Sequence, residues 1–169
     1  EPREVWLPRG ILATTGGHVI PYKVHVHGQG AGATVIAHEG GGTCWTITAP
    51  GGTEQRMGIS DLIVDGDGTA DAVAVEFRDV SFGPFARRVR VVGYTDGVAF
   101  LLHNFAAGQF VEGVVLDDCA SSGNEVGIRL KRTNGTSSFK GFTTYQMAIN
   151  VPDGGVVGSA VQAEIGQDA

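Results

Sequence analysis

The chain has 169 residues, of which 27 are glycine, 42% are hydrophobic and 18% are charged, with a formal net charge of −6. The glycines follow no three-residue period and are accompanied by only 6 prolines, which excludes collagen, and the apolar content excludes intrinsic disorder. No stretch approaches the roughly 18 consecutive apolar residues of a membrane span, the acidic balance argues against a nucleic-acid partner, and each interior glycine would cost a helix ~1 kcal/mol relative to alanine. What remains is a turn-rich, all-β protein, read as a single domain over residues 1–169.

In chain order, Val5-Trp6-Leu7-Pro8-Arg9-Gly10 reads as a strand and turn. Lys23–Gly28, Ala33–Ile36 and Cys44–Thr48 read as further strands, separated by loops at Gly40-Gly41-Gly42 and Pro50-Gly51-Gly52. Residues 1–56 are taken as irregular early coils. Over 57–160 two strand series interleave. One runs through Leu62, Val89, Val114 and Phe142 in steps of 27, 25 and 28 residues; the other runs through Val73, Val98, Val126 and Ala148 in steps of 25, 28 and 22. Short strands rich in Val, Ile and Phe, recurring at a spacing near 25 residues, describe a parallel β-solenoid. Leu62, Val89, Val114 and Phe142 are then expected to form one inward ladder. The glycines become the corner residues of the coils. Val161–Ile165 fits either a short helix or a strand. Cys44 and Cys119, two residues far apart in apolar strands, are expected to be buried free thiols. The start, Glu1-Pro2-Arg3-Glu4, has no signal pattern and suggests a processed chain or a segment of a longer one without its own terminal caps.

The N-terminal motif carries a resemblance. Val5-Trp6-Leu7-Pro8-Arg9-Gly10, then Val24-His25-Val26-His27-Gly28-Gln29-Gly30, then Ala33-Thr34-Val35-Ile36 resembles the opening of pectate-lyase-like right-handed parallel β-helices. This arrangement is common in bacteriophage tail spikes, tail fibres and minor tail proteins. The resemblance implies a right-handed parallel β-helix serving as a structural virion protein that contributes to adsorption on a host-surface glycan, packed as a homotrimer with other virion proteins. It implies no cofactor. A polysaccharide lyase or glycoside hydrolase of the same fold, virion-borne or secreted, is the alternative, and a capsid-associated decoration protein is the second.

Several clusters are candidates for chemistry. Asp65, Asp67, Thr69, Asp71 and Glu76 partly match the ligand spacing of a calcium loop, but Ala70 stands where glycine is required and the flanks are strands, so a solvated turn is expected. In glycoside hydrolases of the resembling fold, carboxylates from neighbouring coils act as acid and base. Asp65 and Asp67 with Asp117 and Asp118 would then lie two coils, about 10 Å, apart, near the spacing of an inverting pair. Turn-forming aspartates are the plainer reading. His25 and His27 share one strand face at a spacing suited to two metal ligands, yet no cysteine or carboxylate accompanies them at supporting spacing, so they are read as surface histidines. Gly28-Gln29-Gly30-Ala31-Gly32-Ala33 matches a loose dinucleotide fingerprint, but a strand follows it where a helix is needed. Asn134-Gly135-Thr136 is a turn, or a glycosylation site in a secreted eukaryotic protein. Arg88 and Arg90, with Arg129 and Lys131, form two basic groups placed for glycan or subunit contact. Ile63, Leu101 and Val115 are expected to face outward as an oligomer interface.

Overall fold

The computed structural model describes residues 3–49, 57–68, 70–133, 138–150 and 159–164. Among these the chain forms strands and no helix. The first coils contribute β1 (Arg3–Trp6), β2 (Gly10–Thr14), β3 (His18–Ile20), β4 (Val24–His27), β5 (Thr34–His38) and β6 (Gly42–Thr48). The middle coils contribute β7 (Gly58–Asp65), β8 (Ala70–Arg78), β9 (Phe85–Val92) and β10 (Asp96–Asn104). The last contribute β11 (Phe110–Asp117), β12 (Ala120–Ser122), β13 (Val126–Arg132), β14 (Ser138–Tyr145), β15 (Ala148–Asn150) and β16 (Ser159–Glu164).

Like strands stack in parallel on the coil above and below. One sheet runs β3-β6-β8-β10-β13-β16. The other runs β1-β4-β7-β9-β11-β14, and carries β2 and β5 beside β7, and β12 and β15 beside β9. The long strands β7 and β9 therefore each span two arms, which in the neighbouring coils are separate strands. β7 pairs with β4 through Gly58–Ser60 and with β5 through Ile63–Asp65. Consecutive neighbours differ by a full coil, so the fold is an all-β parallel solenoid whose backbone groups are satisfied between coils.

Alternation along each strand turns one set of side chains inward. The resulting rows include Ile47, Phe77 and Leu102; Trp45, Val75, Phe100 and Ile128; and Val26, Ile59, Ala86 and Leu116, all buried. Burying each large apolar side chain of these rows contributes about 1.5–3 kcal/mol. Cys44 and Cys119 are buried free thiols, as the sequence suggests.

Three expectations are corrected. The first coils are not irregular, because β1–β6 already pair in the same parallel pattern. The ladder Leu62, Val89, Val114, Phe142 holds only in pairs. Leu62 faces Val89 and Val114 faces Phe142, but Val115 pairs with Phe85 and Ala120 with Arg90. This register places Cys119, not Val114, beside Val89, and Phe142 is 36% exposed. The physical reason is that extra residues enter at the corners, so a constant spacing drifts out of register. Likewise Ala148 pairs with Ala120 in one sheet, while the neighbour of Val126 in the other is Ser159. Val161 lies in strand β16; no helix forms there.

The N-terminal motif has a mechanical basis. Thr34, wholly buried, donates from its hydroxyl to the Pro8 carbonyl at 2.9 Å and accepts from the Gln29 backbone N–H at 2.9 Å. The Gln29 side chain donates to the Leu7 carbonyl at 3.2 Å. Gly28 lies so close to the next coil that a Cβ there would sit 2.2 Å from the Asp61 carbonyl oxygen.

Candidate functional site

From β7 onward the arms of the two-part sheet meet at a bend, and one residue with positive φ stands at each of these bends. These are Asp61 (φ 62°), Arg88 (φ 52°), Asp118 (φ 51°) and Gln146 (φ 48°). Aspartate tolerates this region, whereas an arginine there carries backbone strain of about 1–3 kcal/mol, a kind of strain that concentrates at functional sites.

Of these, Asp61, Arg88 and Asp118 alternate in charge along the bend. Arg88 holds Asp61 in a bidentate pair, Nε to Oδ1 at 2.5 Å and Nη2 to Oδ2 at 2.9 Å. The Arg88 hydrogen bonds keep the Asp61 carboxyl below the usual carboxylate range, and Asp61 in turn raises the guanidinium. One residue earlier, Arg87 Nε meets Asp117 Oδ2 at 2.9 Å. Beside this ladder lies an open cleft of about 370 Å³ lined by Gly30, Ala31, Asp61, Arg88, Arg90 and Asp118.

The fold therefore gathers three predicted residues, Arg88, Arg90 and Asp118, and adds Asp61, which sequence reasoning missed. The available signal was a polar pair ahead of a buried apolar residue in each coil: Ser60-Asp61 before Leu62, Arg87-Arg88 before Val89, Asp117-Asp118 before Cys119. Asp65 and Asp67 lie elsewhere. Asp65 ends the second arm opposite Val92, five residues past the position that Asp117 shares with Ser60 and Arg87. At 3.3 Å per residue that offset is up to about 16 Å, in addition to two coils of stacking. Asp65 accepts the Asp67 backbone N–H at 3.1 Å, as in a turn. Glu76 is turned away from them, so it does not complete a calcium loop; Thr69 lies outside the described residues. Asn134-Gly135-Thr136 also lies outside them.

Arg129 and Lys131 lie in the other sheet, in register with Leu101 and His103, and so do not share a face with Arg88 and Arg90. Ile63, Leu101 and Val115 fall on three separate rows. Ile63 continues the row Ile11–Val35, of which Ile11 is 75% exposed. Val115 follows Phe85, and Leu101 packs with Val98 and Val126.

A second polar assembly covers the outer side of the other sheet. Glu76, 1% exposed, accepts from Arg78 Nε at 2.9 Å, Arg78 Nη2 at 2.7 Å and Thr46 Oγ1 at 3.3 Å, and meets His103 Nδ1 at 2.7 Å. His103 Nε2 reaches the Thr133 hydroxyl at 2.7 Å. Burial alone would raise the Glu76 carboxyl, but the His103 and Arg78 hydrogen bonds outweigh it and hold the group low.

The pair His25 and His27 departs from the surface reading. Both are partly buried, Trp6 stacks on His27 at 4.3 Å, and Phe85 sets its edge against His25 at 4.7 Å. A carboxylate does accompany them: Glu4, in register with His25 on the preceding coil. Burial, with His27 beside it, pushes the His25 imidazole down to about 4.

No protein-family model matches this sequence, and no curated protein does. Solved structures do. A pectin methylesterase in complex with a hexasaccharide aligns at TM-score 0.58 and 14% identity, over 90% of this chain and 58% of that one. The A-module of the Azotobacter vinelandii mannuronan C-5 epimerase AlgE6 aligns at TM-score 0.50 and 17% identity, over 88% of this chain and 49% of that one. The fold is the right-handed parallel β-helix. The chain spans about half the length of these two neighbours, and at such identities the likeness extends to the fold alone.

Proposed function

We propose that this β-helix is a glycan-binding module of a bacteriophage spike, and that the bend cleft holds the host-surface polysaccharide. The observation that carries this reading is the convergence of Asp61, Arg88, Arg90 and Asp118 on one open cleft. Carboxylate oxygens accept from sugar hydroxyls, and guanidinium forks donate paired hydrogen bonds to vicinal oxygens or to uronate carboxylates. Asp61 and Arg88 stand on strands β7 and β9, each paired to the coils above and below, so they are presented with little conformational freedom. Two proteins of the same fold are named for pectin and mannuronan, which supports a polysaccharide as ligand. The Leu7-Pro8-Arg9-Gly10 motif supports the virion setting.

Binding is favoured over bond cleavage. A glycosidic general acid must retain its proton near the operating pH, whereas Asp61 is held ionised by Arg88. A neighbouring copy in a homotrimer would cover the Ile11–Val35–Ile63 row.

Titration calorimetry with oligogalacturonate, oligomannuronate and a neutral glucan tests the reading. Wild type should bind at least one of them without releasing reducing ends. Arg90→Ala and Asp118→Asn should each weaken binding by about 10-fold or more, the value of one charge-assisted hydrogen bond. Unchanged affinity in both variants would sink the proposal, and reducing-end release lost in Asp118→Asn would transfer the site to a hydrolase. Light scattering on the eluted chain reports the trimer, and a stable monomer removes it.

A further inference from the structure

At the N-terminal end of the same sheet, away from the bend cleft, three side chains converge in a way that the glycan reading does not use. Glu4, His25 and His27 each offer a donor atom within 4.8 Å of the others. The two imidazoles lie side by side, tilted by 42° with centroids 3.4 Å apart. Ser60, wholly buried on the following coil, meets both rings: His25 Nε2 at 3.0 Å and His27 Nδ1 at 3.2 Å. The one hydroxyl thus ties the two rings to the following coil.

The other nitrogen of His27, Nε2, faces a carboxylate. The nitrogen is sealed from solvent and has no hydrogen-bond partner, and Glu4 Oε1 stands 3.8 Å from it. At that separation the nitrogen and the carboxylate oxygen are beyond a direct hydrogen bond, and an ion bonded to both fits between them. The surroundings are those of a ligand sphere. Trp6 and Phe85 pack on the rings, and the buried Ser60 hydroxyl holds one nitrogen of each, as outer partners of metal-bound histidines do.

We propose that Glu4, His25 and His27 form a binding site for a divalent transition-metal ion of the zinc type. Two imidazole nitrogens and one carboxylate oxygen match the donor preference of zinc, and three protein ligands leave a fourth position for water. Calcium and magnesium, which prefer all-oxygen shells, are disfavoured. The ligands come from β1 and β4, so the ion joins two successive coils, with Ser60 of β7 behind the imidazoles on the third.

The test uses the tag-free full chain stripped with a chelator and titrated with zinc chloride in a calorimeter, with cobalt chloride in a spectrophotometer, and with calcium and magnesium chlorides as controls. One equivalent of zinc should bind, and cobalt should give the intense visible bands of a four-coordinate site. Calcium and magnesium should give neither. Ser60→Ala should weaken zinc about 10–100-fold, and His27→Gln at least as much. Glu4→Gln changes a side chain that is 55% exposed, so it leaves the core intact and serves if His27→Gln does not fold. Absence of zinc binding by wild type, or equal affinity in Glu4→Gln, would overturn the proposal.

Discussion

Replacing Glu76 by glutamine probes the polar cluster on the outer sheet with almost no change of volume. The carboxylate accepts four hydrogen bonds between 2.7 and 3.3 Å, two of them from Arg78 and one each from His103 and Thr46. A glutamine can keep its carbonyl toward His103 or Arg78 Nε, but its NH₂ then faces Arg78 Nη2, donor against donor. Breaking a buried ion pair costs about 3–5 kcal/mol. Arg78 is 36% exposed and recovers some hydration, so the lower end applies, about 3 kcal/mol. For a chain of this size that corresponds to a fall in Tm of about 6–12 °C. The pH dependence carries the sign. Glu76 titrates below its ordinary value in the folded chain, so its stabilisation is complete above the unfolded carboxyl range and is lost as pH falls through the depressed folded value. Urea unfolding of wild type and Glu76→Gln, repeated from neutral to acidic pH, should show a gap that closes on acidification. A variant within 1 kcal/mol of wild type, or a gap constant with pH, would refute the view that this carboxylate is ionised and holds the cluster.

Gly58 has no positive φ, yet a Cβ there would sit 2.3 Å from the Phe85 carbonyl oxygen and 2.8 Å from its ring. Gly58→Ala should therefore cost ~1–3 kcal/mol by pushing β7 from β9, read as faster amide exchange in β9. Phe85→Ala should not rescue it, because the nearest clash is with backbone; full rescue would refute that account. Burial pushes the Cys44 thiol up to about 12 and the Cys119 thiol up to about 11. Neither should react with a thiol reagent in the native chain at neutral pH, while both should react in urea; fast native labelling of either would contradict the burial.

The sequence by itself determined the fold class. Twenty-seven glycines in 169 residues and two interleaved series of short Val-, Ile- and Phe-rich strands leave little besides a parallel solenoid, because period-2 alternation and corner glycines are local properties of the chain. Local patterning also identified Thr34-Val35-Ile36 as a strand and set aside the glycine-rich segment before it as a nucleotide site. Register was beyond its reach. The repeat spacing aligns Val114 with Val89, whereas the structure puts Cys119 there, because the number of residues inserted at each corner is set by stacking and not by a repeat length. The sites follow from register. Arg88 comes to grip Asp61 across 27 residues, and Glu4 comes to face His25 and His27 across a coil, only because parallel pairing brings those positions within a strand spacing of one another. Corner glycines can be counted in a sequence; which side chains they bring together is decided by the stacking of the coils.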